Sequence, residues 1–182
     1  MHDVTGRSAV FDPSTYSALE KLRSGRELEV RAFRPDDGEA LVAAAEQVGP
    51  RSRYLRFFTL KREFTEREKT FFLNVDFDRH VALVGVFEEA GTKSIVGAGR
   101  YVMTEPGKAE VAFTVIDKYQ GQGIGAALLR HLIVVARGRG LHTLIAEVLP
   151  ENKPMLHVFR NSGLPGDMVS DPDVVHLTMQ LG

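Results

Sequence analysis

Glu110-Val-Ala-Phe-Thr-Val-Ile-Asp-Lys-Tyr-Gln-Gly-Gln-Gly-Ile-Gly125 is the stretch that orders the rest of the chain. It begins as an apolar strand and passes through the polar residues Asp117–Gln120. Glycines follow at 121, 123 and 125, and then an amphipathic helix. Ile124, Leu128, Leu132, Val135 and Ala136 fall on one helical stripe, with Arg130, Arg137 and Arg139 mostly off it. Glycine lets a backbone reach positive φ and come close to a ligand. The helix start presents unpaired N–H groups at the positive end of the helix dipole. Together these make an anion site suited to a pyrophosphate.

Working outward, the residues before this stretch alternate between helix and strand character. Val81–Phe87 is a nearly unbroken apolar run, as expected of a strand covered on both faces. Ile95–Met103 reads as its hairpin partner. Leu28–Phe33 reads as an earlier strand, followed by a helix from Asp36 to Val48 that stops at Gly49-Pro50. Over residues 51–75, aromatics interleave with Arg51, Arg53 and Arg56, and Thr65-x-x-Glu68 predicts a capping box. Those arginines suit a solvated helix face, or else recognition of an acidic substrate or a ligand phosphate. His80, at a strand start, reads as structural or solvated, with an acid/base role as the alternative. After the glycines come a strand at 144–149, a short helix at 152–161 closed by Gly163, and a half-buried strand at 174–181. At the other end, Asp12-Pro13-Ser14 reads as a helix start for Tyr16, Leu19 and Leu22, so residues 1–25 are expected to be a helical extension on a domain spanning 26–182.

The composition bounds the function. At 182 residues the chain makes one domain with a full core. Twenty-three basic residues against 24 acidic ones argue against a nucleic-acid-coating role. No apolar run approaches membrane-spanning length, and Met1–Arg7 does not read as a secretory signal. With no cysteine there is no thiolate nucleophile or Cys-based metal site, and no close histidine pair suggests zinc. The expectation is a cytoplasmic protein without a metal.

Three phosphate-loop readings compete for the glycines. A nucleoside-triphosphate loop needs Lys-Ser/Thr after the last glycine, whereas Ala126-Ala127 follows here. The bare dinucleotide fingerprint is satisfied by Gly121-x-Gly123-x-x-Ala126, with Glu147 placed for a ribose contact. Against it, Asp117–Gln120 separates strand from glycine, and only 56 residues follow Ala126. The third reading is stronger. Gln120-Gly-Gln-Gly-Ile-Gly125 resembles the acyl-CoA loop of the GNAT superfamily of N-acetyltransferases. Downstream, Asn152 to Gly163-Leu164 resembles that family's second motif, with Phe159 where a tyrosine is usual and Leu164 where a phenylalanine is usual. Ala109–Val115 and Tyr54–Phe58 resemble the bacterial Pat-type protein lysine acetyltransferases in particular.

The resemblance implies an α/β GNAT fold: a mixed, mostly antiparallel central sheet of six to seven strands with helices on both faces. A bulge in the strand before the loop, and its splay from the next strand, would admit the cofactor. The implied reaction is acetyl transfer from acetyl-CoA, the cosubstrate, to an amine, first a protein lysine and alternatively a small-molecule amine or a protein N-terminus. Glu110 takes the place of the general base. The backbone of Phe113 and Val115 would meet the pantetheine arm. Gln120, Gly121, Gln122, Gly123, Ile124, Gly125 and Ala126 would hold the pyrophosphate. Asn152 would bond near the pantetheine or simply cap its helix, and Phe159 would line the thioester end without a hydroxyl to protonate the leaving thiolate. Neither nucleic acid nor membrane is implied as a partner. A homodimer is compatible with this reading, and so is a non-catalytic acyl-CoA sensor.

Overall fold

The computed structural model describes residues 11–59 and 63–182. Eight strands form one sheet: β1 (Ser17–Lys21), β2 (Glu27–Ala32), β3 (His80–Glu89), β4 (Thr92–Glu105), β5 (Lys108–Val115), β6 (Thr143–Val148), β7 (Gly166–Ser170) and β8 (Val175–Gln180). Their order is β1-β2-β3-β4-β5-β6-β8-β7. Every neighbouring pair is antiparallel except β5–β6. Helices α1 (Gly38–Glu46), α2 (Pro50–Phe57) and α3 (Glu66–Leu73) cover one face, and α4 (Ile124–Gly138) and α5 (Lys153–Arg160) the other.

β3 shows why the central run is apolar throughout. Val81 and Leu83 pack toward α4, while Ala82, Val84 and Val86 pack toward α1. α4 lies close on β4 because glycines stand beneath it. A Cβ at Gly99 would come within 2.9 Å of Leu132, and one at Gly97 within 3.4 Å of Ile124 and Leu128. The predicted capping box of α3 is present. Thr65 Oγ1 accepts from the Glu68 N–H at 3.2 Å, and the Thr65 N–H donates to Glu68 Oε2 at 3.0 Å.

Two sequence expectations need correction. The sheet has eight strands rather than six to seven. The additional strands are β1 and β7, both at sheet edges. Residues 14–23 are also not a helix. Pro13–Thr15 is a single 3-10 turn, and Ser17–Lys21 pairs antiparallel with Glu27–Arg31. The hydrogen bonds of the β2 edge override the helical spacing of Tyr16, Leu19 and Leu22. Residues 1–10 of the expected extension lie outside the described residues.

Candidate active site

The site is built around β5. Its register with β4 is regular from Gly97↔Val115 to Met103↔Ala109, so the bulge expected in β5 is absent there. The irregularities lie instead between Gly85 and Val86 of β3 and near the far end of β4. The expected splay is present. β5 pairs with β6 only over Lys108–Glu110, and the strands then part, leaving the β6-facing edge of Val111–Val115 unpaired. A groove of about 1060 Å³ runs from this opening to the glycine loop.

The loop that follows is held from beneath. Asp117–Tyr119 forms a 3-10 turn, and Asp117 Oδ1 accepts from the Gly49 N–H at 3.2 Å. The Gln120 amide donates to the Val115 carbonyl at 3.0 Å and to Ser52 Oγ at 3.2 Å. Gln122 reaches only back to the Lys118 carbonyl, at 3.4 Å. Of the two glutamines expected as ligand contacts, Gln120 uses its side chain to brace the loop against α2 and β5, and Gln122 ties the loop to the 3-10 turn before it. Gly121 and Gly123 take φ of 74° and 90°, values that a side chain disfavours. The first α4 bond runs from the Ala127 N–H to the Gly123 carbonyl at 3.0 Å. The N–H groups of Gly121 through Ala126 thus carry no backbone bond among the described residues, and Gly123 caps the helix with no side chain in the way. Ile124 contributes only its backbone to this nest, because its side chain is buried against the core.

Phe113 and Phe159 form the apolar floor, with ring centroids 5.3 Å apart. Both are buried while lining the groove, as does half-buried Val115. Asn152 is buried at the start of α5, and its Oδ1 accepts from the Met155 N–H at 3.3 Å. It is a helix cap that also borders the groove.

Glu110 is exposed at the last rung where β5 and β6 still pair. Its face carries the small residues Ala112 and Thr114, which border the groove. Across β4, Val102 stands opposite Glu110 and Arg100 opposite Ala112, so Arg100 is the diagonal neighbour of Glu110 on the same face. Arg56, from α2, comes into the field of Glu110 from above. Burial pulls its guanidinium down to about 10 and the Glu110 charge partly opposes that. Burial, with the charge of Arg56 added, pulls Arg100 down to about 9, so both arginines remain cationic at neutral pH.

His80 lies away from the groove. It is buried, with Nδ1 3.1 Å from the Asn74 carbonyl and Nε2 2.9 Å from Arg100 Nη1. Those partners require a neutral ring with the proton on Nδ1 and Nε2 accepting from Arg100. Burial, then the neighbouring guanidinium, hold its pKa below the usual histidine value. Its role is to fix Arg100. The arginines of α2 are also more engaged than a solvated face would be. Arg53 donates to the Glu46 carbonyl at 3.0 Å, and Arg56 lines the groove. Arg100 was missed in the sequence, although a charge in the middle of the apolar run Ile95–Met103 was a visible signal.

A sheet parted along one strand, with the opening leading to a glycine nest at a helix start, makes a groove suited to a ligand that carries a pyrophosphate. With one parallel pair among seven neighbouring strand pairs, the sheet is not the doubly wound one a dinucleotide fold requires. The sequence profile of the acetyltransferase (GNAT) family matches residues 50–164. The chain belongs to the GNAT family of N-acetyltransferases, enzymes that use acetyl-CoA as cosubstrate.

Its relatives agree. It is 31% identical over 156 residues to acetyltransferase PA5475 of Pseudomonas aeruginosa, covering 85% of this chain and 83% of that one. It is 30% identical to acetyltransferase Pat of Mycolicibacterium smegmatis over 79% of this chain but only 43% of that protein. Among solved structures, the GNAT domain of S. lividans PAT superposes with a TM-score of 0.81 at 35% identity, covering 90% of this chain and 96% of that domain. Among the described residues no group of three or more His, Asp or Glu side chains could hold a metal ion, and no helix is long and apolar enough to cross a membrane.

Proposed function

We propose that this chain transfers the acetyl group of acetyl-CoA directly to an amine, with a protein lysine as acceptor and Glu110 as general base. The observation that carries the reading is the position of Glu110. It stands where β5 and β6 begin to part, on the face with Ala112 and Thr114, beside a groove that leads to the glycine nest. The likeness to the S. lividans PAT domain and to Pat supports lysine over other amines.

In this reading the free N–H groups of Gly121–Ala126 hold the pyrophosphate. The pantetheine lies along the unpaired edge of Val111–Val115, passing Asn152. A lysine with a pKa near 10.4 must lose a proton before it can attack, at a cost of about 4.6 kcal/mol at pH 7. Glu110 takes that proton directly or through one water. The amine nitrogen then bonds to the thioester carbon, the C–S bond breaks, and the thiolate leaves. The nitrogen then sheds its second proton, which passes through water to the thiolate because Phe159 has none to give. An acyl-enzyme through a thiol is excluded, since the chain has no cysteine, and the transfer is direct.

The test is acetyl-CoA turnover against lysine-bearing proteins, N-terminal peptides and small amines, read by mass spectrometry. Acetyl-lysine as the dominant product supports the proposal. Acetylation of small amines or N-termini alone sinks the acceptor assignment, and acetyl-CoA binding with no product anywhere marks a sensor. Undiminished turnover by Glu110→Gln removes the base.

A further inference from the structure

The face of the sheet that carries Glu110 also bounds a second cavity, of about 490 Å³, between α1–α3 and strands β4 and β5. It meets the cofactor groove at a shared wall of Arg56, Phe57, Ala112, Phe113 and Thr114. Most of its lining is apolar, including Leu41, Ala44, Phe57 and Phe72, but it also carries Arg53, Arg56 and Arg100, with Lys69, Glu46 and Glu63. Arg53 donates to the Ala45 and Glu46 carbonyls. Arg100 is only 9% exposed. Its Nη1 meets His80 Nε2 and the Phe72 carbonyl, and the Phe72 ring lies 4.7 Å from its guanidinium carbon. All of these partners are neutral. No carboxylate among the described residues lies within ion-pair distance of Arg100 or Arg56. Glu110 acts on Arg56 from farther away, and Lys69 at the rim pairs with Glu66.

Buried charges ordinarily come with a partner, because an uncompensated one costs several kcal/mol. Arg100 feels no carboxylate, only the charge of Arg56, and Arg56 feels only the more distant Glu110, so this pair of cations has room for one more anion. A ligand with one carboxylate and a short aliphatic body matches that balance and the apolar walls.

We infer that this cavity is a binding site for a carboxylate carried on a short aliphatic chain, its anionic end between Arg56 and Arg100 and its body against Phe57 and Phe72. Two sources fit the chemistry. One is the acyl group of a carboxyacyl-CoA, reaching across the shared wall from the groove. The other is an acceptor amine that itself bears a carboxylate. Assigning the carboxylate to a substrate rests on the acetyl-transfer reading, whereas the cavity's preference for an anion does not.

The first experiment is calorimetry on the full chain with glutarate, 4-aminobutyrate and the neutral analogue butyramide. Glutarate or 4-aminobutyrate should bind at least tenfold more tightly than butyramide. Arg100→Met should abolish that preference. Arg100→Lys, which keeps a charge, should retain part of it and serves as the second variant if the methionine protein does not fold. Equal binding of charged and neutral probes, no binding at millimolar concentration, or an unaltered preference in both folded variants overturns the site.

The second experiment separates the sources. If the acyl group is the carboxylate, succinyl-CoA binds more tightly than propionyl-CoA and Arg100→Met erases the difference. If the acceptor carries it, 4-aminobutyrate is acetylated, and Arg100→Met raises its KM while acetyl-CoA affinity is unchanged. If neither result is obtained, the substrate assignment falls. Acetyl-CoA affinity on the same samples tests the transfer reading by itself, since its loss would leave the glutarate result standing.

Discussion

A single carboxylate on β5 and a single imidazole on β3, two strands apart, stand in opposite surroundings. Glu110 faces solvent at the mouth of the groove, so replacing it should leave the fold intact and act on the reaction. We expect Glu110→Gln to lower kcat/KM by about 10²–10⁴-fold, in the range of general-base losses, with acetyl-CoA affinity and melting temperature unchanged. Steady-state kinetics beside a thermal melt check it, and a drop in melting temperature of equal rank would reassign the residue to structure.

His80 should behave oppositely. Its folded-state pKa lies below the unfolded value, because burial and Arg100 both disfavour the imidazolium. The unfolded chain therefore binds the proton more readily. The stabilisation is complete above the unfolded pKa of about 6.5 and is lost as pH falls through the lower folded value. Denaturant midpoints measured from pH 7.5 down to 5 should fall. In His80→Phe the fall should be shallower, on a protein already weakened by about 1–3 kcal/mol for the unpaired Arg100 and Asn74 groups. Parallel pH slopes in the two proteins would contradict this.

At the scale of elements, the glycine loop separates two kinds of glycine. Gly123 sits at φ 90°, and a Cβ there would touch nothing within 4 Å. Gly123→Ala should therefore cost about 1–2 kcal/mol through conformation alone, and should weaken acetyl-CoA binding by disturbing the nest. Gly125 has no positive φ, and its Cβ would meet Phe113 at an ordinary 3.7 Å. Gly125→Ala should be neutral, or stabilising by up to about 1 kcal/mol from helix propensity. Calorimetric binding with melts of both variants reads the contrast, and equal losses would mean that the loop's N–H positions do not matter.

The same scale shows what could be read from the sequence. The glycine loop, the apolar β3 and the α3 capping box are written in local chemistry and stand where the pattern places them. β1 is not. Its sequence, Ser-Ala-Leu-Glu-Lys, favours helix by propensity, and only pairing with β2 makes it a strand. β7 is largely exposed along its length and shows no alternation, so it reads as a loop. The site divides the same way. Glu110 and the nest are contiguous in sequence. The meeting of Arg56 with Arg100 depends on how α2 lies against β5, beside β4, a tertiary fact that no spacing records.

Across the whole molecule, β1 ties the sheet edge to the helix that begins at the nest. It covers the outer edge of β2, and its side chains reach α4 on the far side. Tyr16 Oη lies 2.5 Å from His131 Nδ1, and Glu20 Oε2 lies 3.0 Å from His131 Nε2, with Arg130 also on Glu20. Arg130 and Glu20 both border the cofactor groove, so these contacts link the edge strand to one wall of the site. Removing residues 1–25 would strip the edge from β2 and leave His131 without either partner. An uncovered edge strand is a template for pairing with another chain. We expect the shortened protein to melt several degrees lower and to form dimers or larger species as concentration rises, visible by light scattering, while residues 108–126 still bind acetyl-CoA. Glu20→Ala separates the two effects, because it removes the Glu20 contacts to His131 and Arg130 but leaves Tyr16 on His131 and the edge covered. It should lower the melting temperature by a smaller step and remain in the oligomeric state of the full chain. If the shortened protein keeps the full chain's melting temperature and oligomeric state, β1 is an ornament on the sheet and not part of what holds α4 in place.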